Sequence, residues 1–525
     1  MMTFEQAREY IKELEKKGSV FGLDGICRLM ARLGDVQERL KIVHIAGTNG
    51  KGSVGTFLAS VLKESGYRVG RYLSPAVFSP LEVWQIDGEW IAKEEYAFVC
   101  SKVNEACDRL LAEENIVPTA FEVETAMAFV WFEREKCDYV LLETGMGGRM
   151  DATNLIRKPL CSVITSISMD HMQFLGNTLA EIAAEKAEII KCRCPVITIR
   201  QNPQVMSVIE QKAKACESKL IVAEPDFAEI TAQDITEIRY RCTSVQERGE
   251  TESLTGEISL STGAGYQIEN SMLAIAVLQE VWKLPFEIIQ NGIKKARWAG
   301  RFETVLTAPL FIIDGAHNTG AAEKLRETVQ KHFTNRKITY IIGVLADKEY
   351  RNMLRILLPY AARVFTVTPG HKRALSAEQL KREAESVLFE QNEKKRNGRV
   401  VCGAGAAGKE RSQMPESVCE AENIEVIACE TPREAAMKAI AAAKSSNSGH
   451  KEVILAFGSL SYLCEIRHYC RTLGTLSAER QVNLPLCETG CAQPQKETCR
   501  FAAAAGAMLT EDERCCEHKM EDGLP

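Results

Sequence analysis

The chain has 525 residues, 45% of them apolar and 26% charged, and a formal net charge of −6. This length allows two or more domains that each bury a core, and the composition excludes a largely disordered or fibrous protein. Lysine and arginine total 65 against 71 acidic residues, so the chain lacks the basic excess of nucleic-acid-binding proteins, and we expect no nucleic-acid partner.

From about residue 40, short β-branched segments alternate with helical segments, which predicts a parallel α/β sheet. KIVHIAG leads through a glycine-rich turn into a helix, and DYVLLETG and CSVITSIS follow as strands. The segment 220–268 has short alternating runs, which predict antiparallel strands added at one edge of that sheet. Alternation then resumes with the strands FIIDGAHN, ITYIIGVLA, RVFTVTP, IEVIACE and EVILAFGS. The predicted fold class is therefore α/β with a second doubly wound domain.

The pattern predicts two domains and a tail. A parallel-sheet domain spans 1–297, and a Rossmann-like doubly wound domain spans 298–475. Residues 388–423 are polar, rich in glycine and lysine, and without periodicity, so we expect a disordered surface insertion there. The tail over 476–525 is also aperiodic and is expected to be disordered.

Two features indicate the compartment. No apolar run approaches the roughly 18 residues of a membrane span, and the start MMTFEQA lacks the regions of a signal peptide. We therefore expect a cytoplasmic protein with no membrane partner.

The 19 cysteines are scattered, and none shows the paired CxxC spacing of a structural zinc site. This distribution favours reduced thiols.

The segment IAGTNGKGS carries an apolar strand through three glycines directly into a helix. Backbone N–H groups of such a turn and the helix N-terminus bind anionic oxygens. Lys51 can reach terminal phosphates, and the Ser53 hydroxyl can ligate magnesium. The segment departs from the GxxxxGK[ST] pattern, because Ile45 replaces the first glycine and Gly52 separates Lys51 from Ser53. We interpret it as a phosphate-binding loop and the N-terminal domain as P-loop ATPase-like.

Four further residues are candidates for chemistry beside this loop. Glu143 ends the strand DYVLLE, where a carboxylate suits a hard cation, and Asp170-His171 end the next strand. Small alanines around Lys186, in LAEIAAEKAEIIK, would let its side chain point inward. Three of them also have an alternative interpretation without a function. Glu143 would be a solvated acid at a strand end, His171 a structural histidine, and Lys186 a solvated lysine on a helix.

Seven motifs in order resemble those of the folylpolyglutamate synthase/dihydrofolate synthase family of the Mur ligase superfamily: GTNGKGS, LETGMGGRMDATN, DHMQFLGNTLAEIAAEKAEIIK, WAGRFE, DGAHN, GVLADKEYRNML and RALSAEQL. The resemblance implies an ATP-dependent amide ligase that adds L-glutamate to folates and to 7,8-dihydropteroate through an acyl phosphate. It also implies ATP and two Mg²⁺ ions as cofactors. We expect a monomer whose partners are these small molecules.

The resemblance assigns roles motif by motif. The residues that it implies for nucleotide binding are Thr48, Asn49, Gly50, Lys51, Gly52, Ser53, Asn270, Arg301, Asp314 and His317. The residues that it implies for metal binding are Ser53, Ser74, Glu143, His171 and Lys186, the lysine as a carbamate. The residues that it implies for the pterin pocket are Phe21, Gly22, Leu23, Phe121 and Glu122. The residues that it implies for catalysis are Lys51, Lys186 and His171.

Two positions depart from the family pattern. Ala76 stands where many members have the histidine of Ser-Pro-His, and Tyr266 stands where the family often has histidine. The first departure removes any role for that histidine. The second puts one adenine-side contact in doubt.

Other functions remain as alternatives. Within the enzymes these are a folylpolyglutamate synthase without dihydropteroate activity and another Mur-type ligase. Against a peptidoglycan ligase, only 46 residues precede Gly47, too few for a separate UDP-sugar domain. Outside the enzymes, a P-loop nucleotide switch would need no second lobe bearing Arg301 and Asp314. ADP release that requires both L-glutamate and a pteroate compound would discriminate these functions.

Overall fold

The computed structural model describes residues 1–18, 22–242, 256–297, 299–334, 336–401, 424–445 and 452–482. The chain divides into two compact units, Met1–Ala299 with Asn318–His332, and Gly300–His317 with the residues from Phe333 onward. Within the described ranges, no helix is both long enough and apolar enough to span a membrane.

The described residues form α-helices and β-strands in alternation. The helices are α1 (Phe4–Lys16), α2 (Asp24–Arg32), α3 (Lys51–Glu64), α4 (Lys93–Glu114), α5 (Ala120–Arg134), α6 (Met172–Leu175), α7 (Leu179–Ala187), α8 (Pro203–Ala215), α9 (Tyr266–Trp282), α10 (Phe286–Lys295), α11 (Thr319–Phe333), α12 (Tyr350–Leu357), α13 (Ala377–Val401), α14 (Pro432–Ser445) and α15 (Leu463–Val482). The strands are β1 (Ile42–Ala46), β2 (Val69–Tyr72), β3 (Trp84–Ile86), β4 (Glu89–Trp90), β5 (Tyr139–Glu143), β6 (Cys161–Ile164), β7 (Val196–Ile199), β8 (Leu220–Ala223), β9 (Ala228–Gln233), β10 (Ile238–Cys242), β11 (Glu257–Leu260), β12 (Glu303–Thr307), β13 (Leu310–Ile313), β14 (Lys337–Ile342), β15 (Arg363–Thr366), β16 (Glu425–Ala428) and β17 (Glu452–Phe457).

The first unit contains an eight-stranded sheet in the order β4-β3-β2-β5-β1-β6-β7-β8. Strands β2, β5, β1, β6, β7 and β8 are parallel, whereas β3 and β4 pair antiparallel at one edge. Every residue of β1, β6 and β7 is buried, because helices cover both faces of the sheet. The carboxyl ends of β1, β5 and β2 therefore meet at one edge, which carries the candidate site.

The segment after β8 differs from the prediction. Strands β9, β10 and β11 do form, and they are antiparallel, but they make a separate three-stranded sheet. In β10, Ile238, Tyr240 and Cys242 are buried and the intervening arginines are exposed. The Tyr240 hydroxyl lies 2.8 Å from Ser271 Oγ of α9, so the buried face of this sheet packs on a helix. The apolar face of these strands is therefore covered by a helix and not by the main sheet.

The second unit contains a six-stranded sheet in the order β12-β13-β17-β14-β15-β16. All neighbours are parallel except β12, which pairs antiparallel with β13. The strands predicted from FIIDGAHN to EVILAFGS are confirmed, with the helices α11 to α14 between them along the chain, and most of α11 belongs to the first unit. The predicted α/β fold class is likewise confirmed.

The predicted disordered insertion over 388–423 is wrong at its start. Helix α13 continues to Val401, with Leu388 buried and Glu390 paired to Arg351 at 2.7 Å. The predicted disordered tail is also wrong at its start, since α15 extends to Val482. Residues 402–423 and 483–525 lie outside the described residues.

Candidate active site

The phosphate-loop segment connects β1 to α3, and its turn depends on glycines. Gly47 and Gly50 have φ angles of 154° and 90°. A Cβ at Gly47 would lie 1.8 Å from Thr165 Oγ1, and one at Gly50 would lie 2.3 Å from Asn270 Oδ1. Only glycine allows this conformation and this close approach together. The structure thus brings Asn270 against the loop, although the two are distant in sequence.

The segment that follows β6 holds the loop in place. Backbone N–H groups of Thr48 and Asn49 donate to the Ser166 carbonyl at 2.9 and 3.2 Å. The Thr48 hydroxyl donates to the Ser168 carbonyl at 3.1 Å, and the Asn49 amide donates to Ser168 Oγ at 3.0 Å. Asn49 also exchanges side-chain hydrogen bonds with Asn318, a residue of the same unit that the sequence analysis did not single out. Thr48 and Asn49 therefore maintain the conformation of the loop.

Two lysine side chains converge on the Gly47 carbonyl. Lys51 Nζ lies 3.3 Å and Lys186 Nζ 3.0 Å from this oxygen. Lys186 is in the last turn of α7 and is only 5% exposed, so the inward orientation expected from the alanine-rich helix is observed. Lys51 Nζ also lies 3.7 Å from Glu143 Oε1. Two cations at one carbonyl suit the binding of anionic oxygens.

Gly148 brings the glycine-rich run against α7 beside Lys186. A Cβ at Gly148 would lie 2.6 Å from the Glu185 carbonyl oxygen and 3.0 Å from that of Lys186, both of them backbone atoms. We expect Gly148→Ala to lower the free energy of unfolding by about 1–3 kcal/mol, because the backbone must shift. Chemical denaturation should show a change of less than about 0.5 kcal/mol for the control Gly265→Ala, whose Cβ would meet nothing within 4 Å. Equal losses in both variants would contradict this packing.

Ser53 lies buried in the first turn of α3 and is linked to α9. Gln267 Nε2 donates to Ser53 Oγ at 3.2 Å, and Asn270 Nδ2 donates to Gln267 Oε1 at 2.8 Å. Gln267 is fully buried, so this chain orients the serine hydroxyl. Gln267 is not among the site residues predicted from the sequence. The feature that could have identified it is its three-residue spacing from Asn270, which places both side chains on one face of a helix.

Arg71 is a charged residue of this region that the sequence analysis missed. It lies on β2, and its Nη2 donates to the Gly52 carbonyl. A Cβ at Gly52 would lie 3.7 Å from Glu143 Oε2 and 3.9 Å from Arg71 Nη2, so the two charged groups flank one glycine. Burial lowers the pKa of Arg71 to about 10, and attraction to Glu143 opposes part of this shift. An arginine within a strand carried no functional signal in the sequence.

Oxygen donors for a metal lie at the same sheet edge. Glu143 ends β5 and is buried, and Ser74 follows β2 by two residues. The pairing of Tyr72 with Leu142 places both at one edge. Hydroxyl and carboxylate oxygens at a phosphate loop are the donors that Mg²⁺ prefers, so Ser53, Ser74 and Glu143 fit this ion.

His171 follows β6 and precedes α6, with a φ angle of 50°. Its side chain is 34% exposed, and Nε2 lies 3.9 Å from Asp170 Oδ2. Asp170 is buried and accepts a hydrogen bond from the Asn318 amide at 3.2 Å. In the described part of the chain, no group of three or more His, Cys, Asp or Glu side chains could hold a metal ion. A metal here therefore needs hydroxyl, modified-lysine or ligand oxygens as well.

A buried hydrogen-bond network supports the glycine-rich run after Glu143. Asp151 accepts from the Met146 N–H at 2.7 Å and from the Thr153 hydroxyl at 2.6 Å. Because that hydroxyl donates to Asp151, His44 Nε2 must donate to Thr153 Oγ1, which lies 2.9 Å away. Burial lowers the pKa of His44 to about 3 and raises the pKa of Asp151. Asp151 thus orders the glycine-rich run.

Phe121 lies in the first turn of α5 beside the same sheet edge. Its ring centroid is 6.2 Å from that of Tyr72, at an interplanar angle of 32°. A Cβ at Gly145 would lie 2.6 Å from Phe121 Cζ, so the ring rests directly on the glycine-rich run. The ring is only partly buried, and aromatic rings of this kind stack with flat ligands.

Glu122 is buried and caps the start of α5 by accepting the backbone N–H and the hydroxyl of the preceding threonine at 2.7 and 3.0 Å. A Cβ at Gly25 of α2 would lie 2.5 Å from Glu122 Oε1, so the first turn of α2 packs against Glu122. Gly22 and Leu23 directly precede α2. Phe21 lies outside the described residues.

The residues predicted in the second unit lie together within it. The Asp314 carboxylate accepts from two backbone N–H groups, those of Phe302 at 2.9 Å and of a neighbouring alanine at 2.8 Å. A Cβ at Gly315 would lie 1.8 Å from Arg301 Nη1. His317 Nδ1 lies 2.8 Å from the Gly315 carbonyl oxygen. Asp314 therefore joins the WAGRFE and DGAHN segments into one local site.

Known proteins are similar to this chain in sequence and in fold. The chain matches the Mur ligase middle domain over 45–278 and the Mur ligase glutamate ligase domain over 300–460. It is 36% identical over 393 residues to a dihydrofolate synthase/folylpolyglutamate synthase of Bacillus subtilis, across 72% of this chain and 88% of that protein. It is 32% identical over 381 residues to a folylpolyglutamate synthase of Lacticaseibacillus casei, across 71% of this chain and 87% of that protein.

The fold is also similar to that of a solved enzyme. The structure of Mycobacterium tuberculosis folylpolyglutamate synthase complexed with ADP and AMPPCP matches with a TM-score of 0.74 and 26% identity. The match covers 89% of this chain and 99% of that chain.

Proposed function

The chain belongs to the dihydrofolate synthase/folylpolyglutamate synthase family of Mur ligases, and we propose that it is an ATP-dependent ligase that joins L-glutamate to folates and to 7,8-dihydropteroate. The observation that carries this proposal is the phosphate loop, whose Lys51 ammonium lies 3.7 Å from the Glu143 carboxylate. Phe121 borders the same sheet edge and offers a ring face to a pterin. A phosphate site and an aromatic surface thus adjoin, as this reaction requires.

The phosphate loop supplies the electrostatic part of the reaction. The substrate carboxylate attacks the γ-phosphate of ATP, which gives an acyl phosphate and releases ADP. The glutamate amine then attacks the acyl carbon, and the amide forms as inorganic phosphate and the amine proton leave. Loop N–H groups at the start of α3 and the Lys51 ammonium stabilise the negative charge on the transferring group. Ser53, Ser74, Glu143 and His171 would hold Mg²⁺, which would neutralise phosphate charge when bound. Two such ions are part of the proposal.

Lys186 is proposed to act as a carbamate. Its side chain is buried at the Gly47 carbonyl, where Lys51 also donates, so two ammonium groups share one acceptor. Reaction with carbon dioxide requires a neutral amine, the form that burial favours for lysine side chains in general. The product is an anion, which would relieve the crowding of positive charge and approach a metal.

The two domains predicted from the sequence have separate proposed roles. The first, over about 1–297, binds ATP and metal, and Asn270 contacts adenine beside Gly50. The second, over about 298–475, is the glutamate-ligase domain, in which Arg301, Asp314 and His317 contact the nucleotide. The monomeric state and the cytoplasmic location stay predictions.

A substrate comparison tests the proposed function. We expect glutamate-dependent phosphate release from purified protein with 7,8-dihydropteroate and, separately, with tetrahydrofolate, because both pocket segments accompany the ATP site. Turnover with tetrahydrofolate alone would leave a polyglutamate synthase. ATP hydrolysis that needs neither glutamate nor a pteridine would contradict the ligase function and favour a nucleotide switch.

A further inference from the structure

Three cysteines meet where the segment after α7 passes the end of α8. Cys192 and Cys194 lie in the turn that leads into β7, and Cys216 ends α8 as its C-cap. The Arg193 backbone N–H donates to the Cys216 carbonyl at 2.9 Å, which holds the two segments together. The Cys216 Sγ atom also lies 3.8 Å from the carbonyl oxygen of Ile190, two residues before Cys192. Two thiols that are 24 residues apart in sequence are thus neighbours.

The two neighbouring thiols differ in access. Cys192 is exposed, whereas Cys216 is 9% exposed and its Sγ lies 3.8 Å from the Ile190 carbonyl oxygen. Burial and the contact with Cys192 raise the pKa of Cys216, while the nearby Lys212 ammonium opposes that rise. An external reagent can therefore reach Cys192 first. Cys216 stands behind it as the second thiol of a pair.

We propose that Cys192 and Cys216 form a dithiol site that is oxidised to an internal disulfide by a small-molecule disulfide. The Cys192 thiolate attacks one sulfur of the reagent, forms a mixed disulfide and releases one thiol. The Cys216 thiolate then attacks Cys192 Sγ, forms the internal S–S bond and releases the second thiol. Two electrons pass from the two cysteines to the reagent, and their two protons end on the two released thiols.

The local structure favours ring closure over a lasting mixed disulfide. The hydrogen bond from Arg193 to Cys216 keeps the two backbone segments adjacent, so the two thiols need only a small adjustment to meet. Cys27 provides a contrast, because it is exposed and its charged neighbours are not thiols. Besides burial, the residues that affect the pKa of its thiol are Arg157, Asp24, Asp35 and Glu122. Cys27 should therefore stop at the mixed disulfide. The inference does not depend on the proposed ligase function.

Peptide mapping of the native full-length chain tests the site. The protein is treated with oxidised glutathione, the remaining thiols are alkylated, and the digest is made with trypsin. Cleavage after Lys191, Arg193 and Lys214 places Cys192, Cys194 and Cys216 in three separate peptides. We expect the Cys192 and Cys216 peptides to appear joined, with the loss of two hydrogen atoms. The Cys27 peptide should carry glutathione.

Two variants distinguish the steps. Cys216→Ser should leave a lasting glutathione adduct on Cys192, and Cys192→Ser should leave Cys216 alkylated rather than oxidised. A lasting adduct on Cys192 in the parent protein, or a bond between Cys192 and Cys194, would overturn the proposal. Oxidation of Cys216 in the Cys192→Ser variant would overturn the order of attack. Circular dichroism of each variant confirms that the protein remains folded.

Discussion

Lys51→Ala is expected to lower kcat for glutamate-dependent phosphate release about a hundredfold or more, the range for losing one strong electrostatic stabiliser. The Lys51 ammonium lies 3.7 Å from Glu143 Oε1 and 3.3 Å from the Gly47 carbonyl oxygen. In the variant, the transferring phosphoryl group loses a cation at the moment when charge spreads over its oxygens. Phosphate release at saturating substrate concentrations measures the change.

Lys63→Ala is the matched control for this prediction. Lys63 lies on the same helix, is exposed, and donates to the Asp87 carbonyl at 2.7 Å, away from the loop. This variant should retain the parent kcat, since it removes a lysine without touching the site. Near-normal turnover of folded Lys51→Ala protein would show that Lys51 does not stabilise the transferred group.

Lys186→Ala should also lose about a hundredfold in kcat, because it removes the side chain proposed to become an anion beside the metal. Lys186 is 5% exposed and bonds to the Gly47 carbonyl at 3.0 Å, so its loss also disturbs the phosphate loop. The two effects are separable. A small added carboxylate such as acetate should restore part of the activity if the missing group is an anion, and should have no effect if the loss is only structural.

Lys212→Ala serves as the control for acetate addition. Lys212 lies on α8 and pairs with Glu188 at 2.9 Å, one residue beyond α7. Its activity should be near that of the parent and insensitive to acetate. An unmodified ammonium on Lys186, at high resolution in protein prepared with bicarbonate and nucleotide, would refute the carbamate.

Local patterns in the sequence predicted most of the two main sheets and their order along the chain. Strands such as β1 and β17 are runs of apolar, β-branched residues, and burial on both faces leaves little choice of structure for such runs. The sequence pattern correctly predicts the short strands β9 to β11, but it predicts them at the edge of the main sheet, whereas they form a separate sheet. Alternation specifies which face is apolar, and it does not specify the surface that covers that face.

The C-terminal part of α13 shows that a polar composition does not by itself predict disorder. Residues up to Val401 contain many charged side chains and no apolar period, and they were assigned to a disordered insertion. Where the predicted insertion begins, Leu388 is buried and Glu390 pairs with Arg351 at 2.7 Å. This ion pair joins residues 39 positions apart in sequence, so no local window reveals it.

The sequence by itself determined the α/β class, the phosphate loop and the family, because these depend on motifs and periods that are local to the chain. The tertiary structure decided which side chains meet. It placed Gln267 on Ser53 and Arg71 on Gly52, and it put Lys186 and Lys51 on one carbonyl. Such contacts arise from packing between elements, where burial and hydrogen bonding select partners that sequence separation does not indicate.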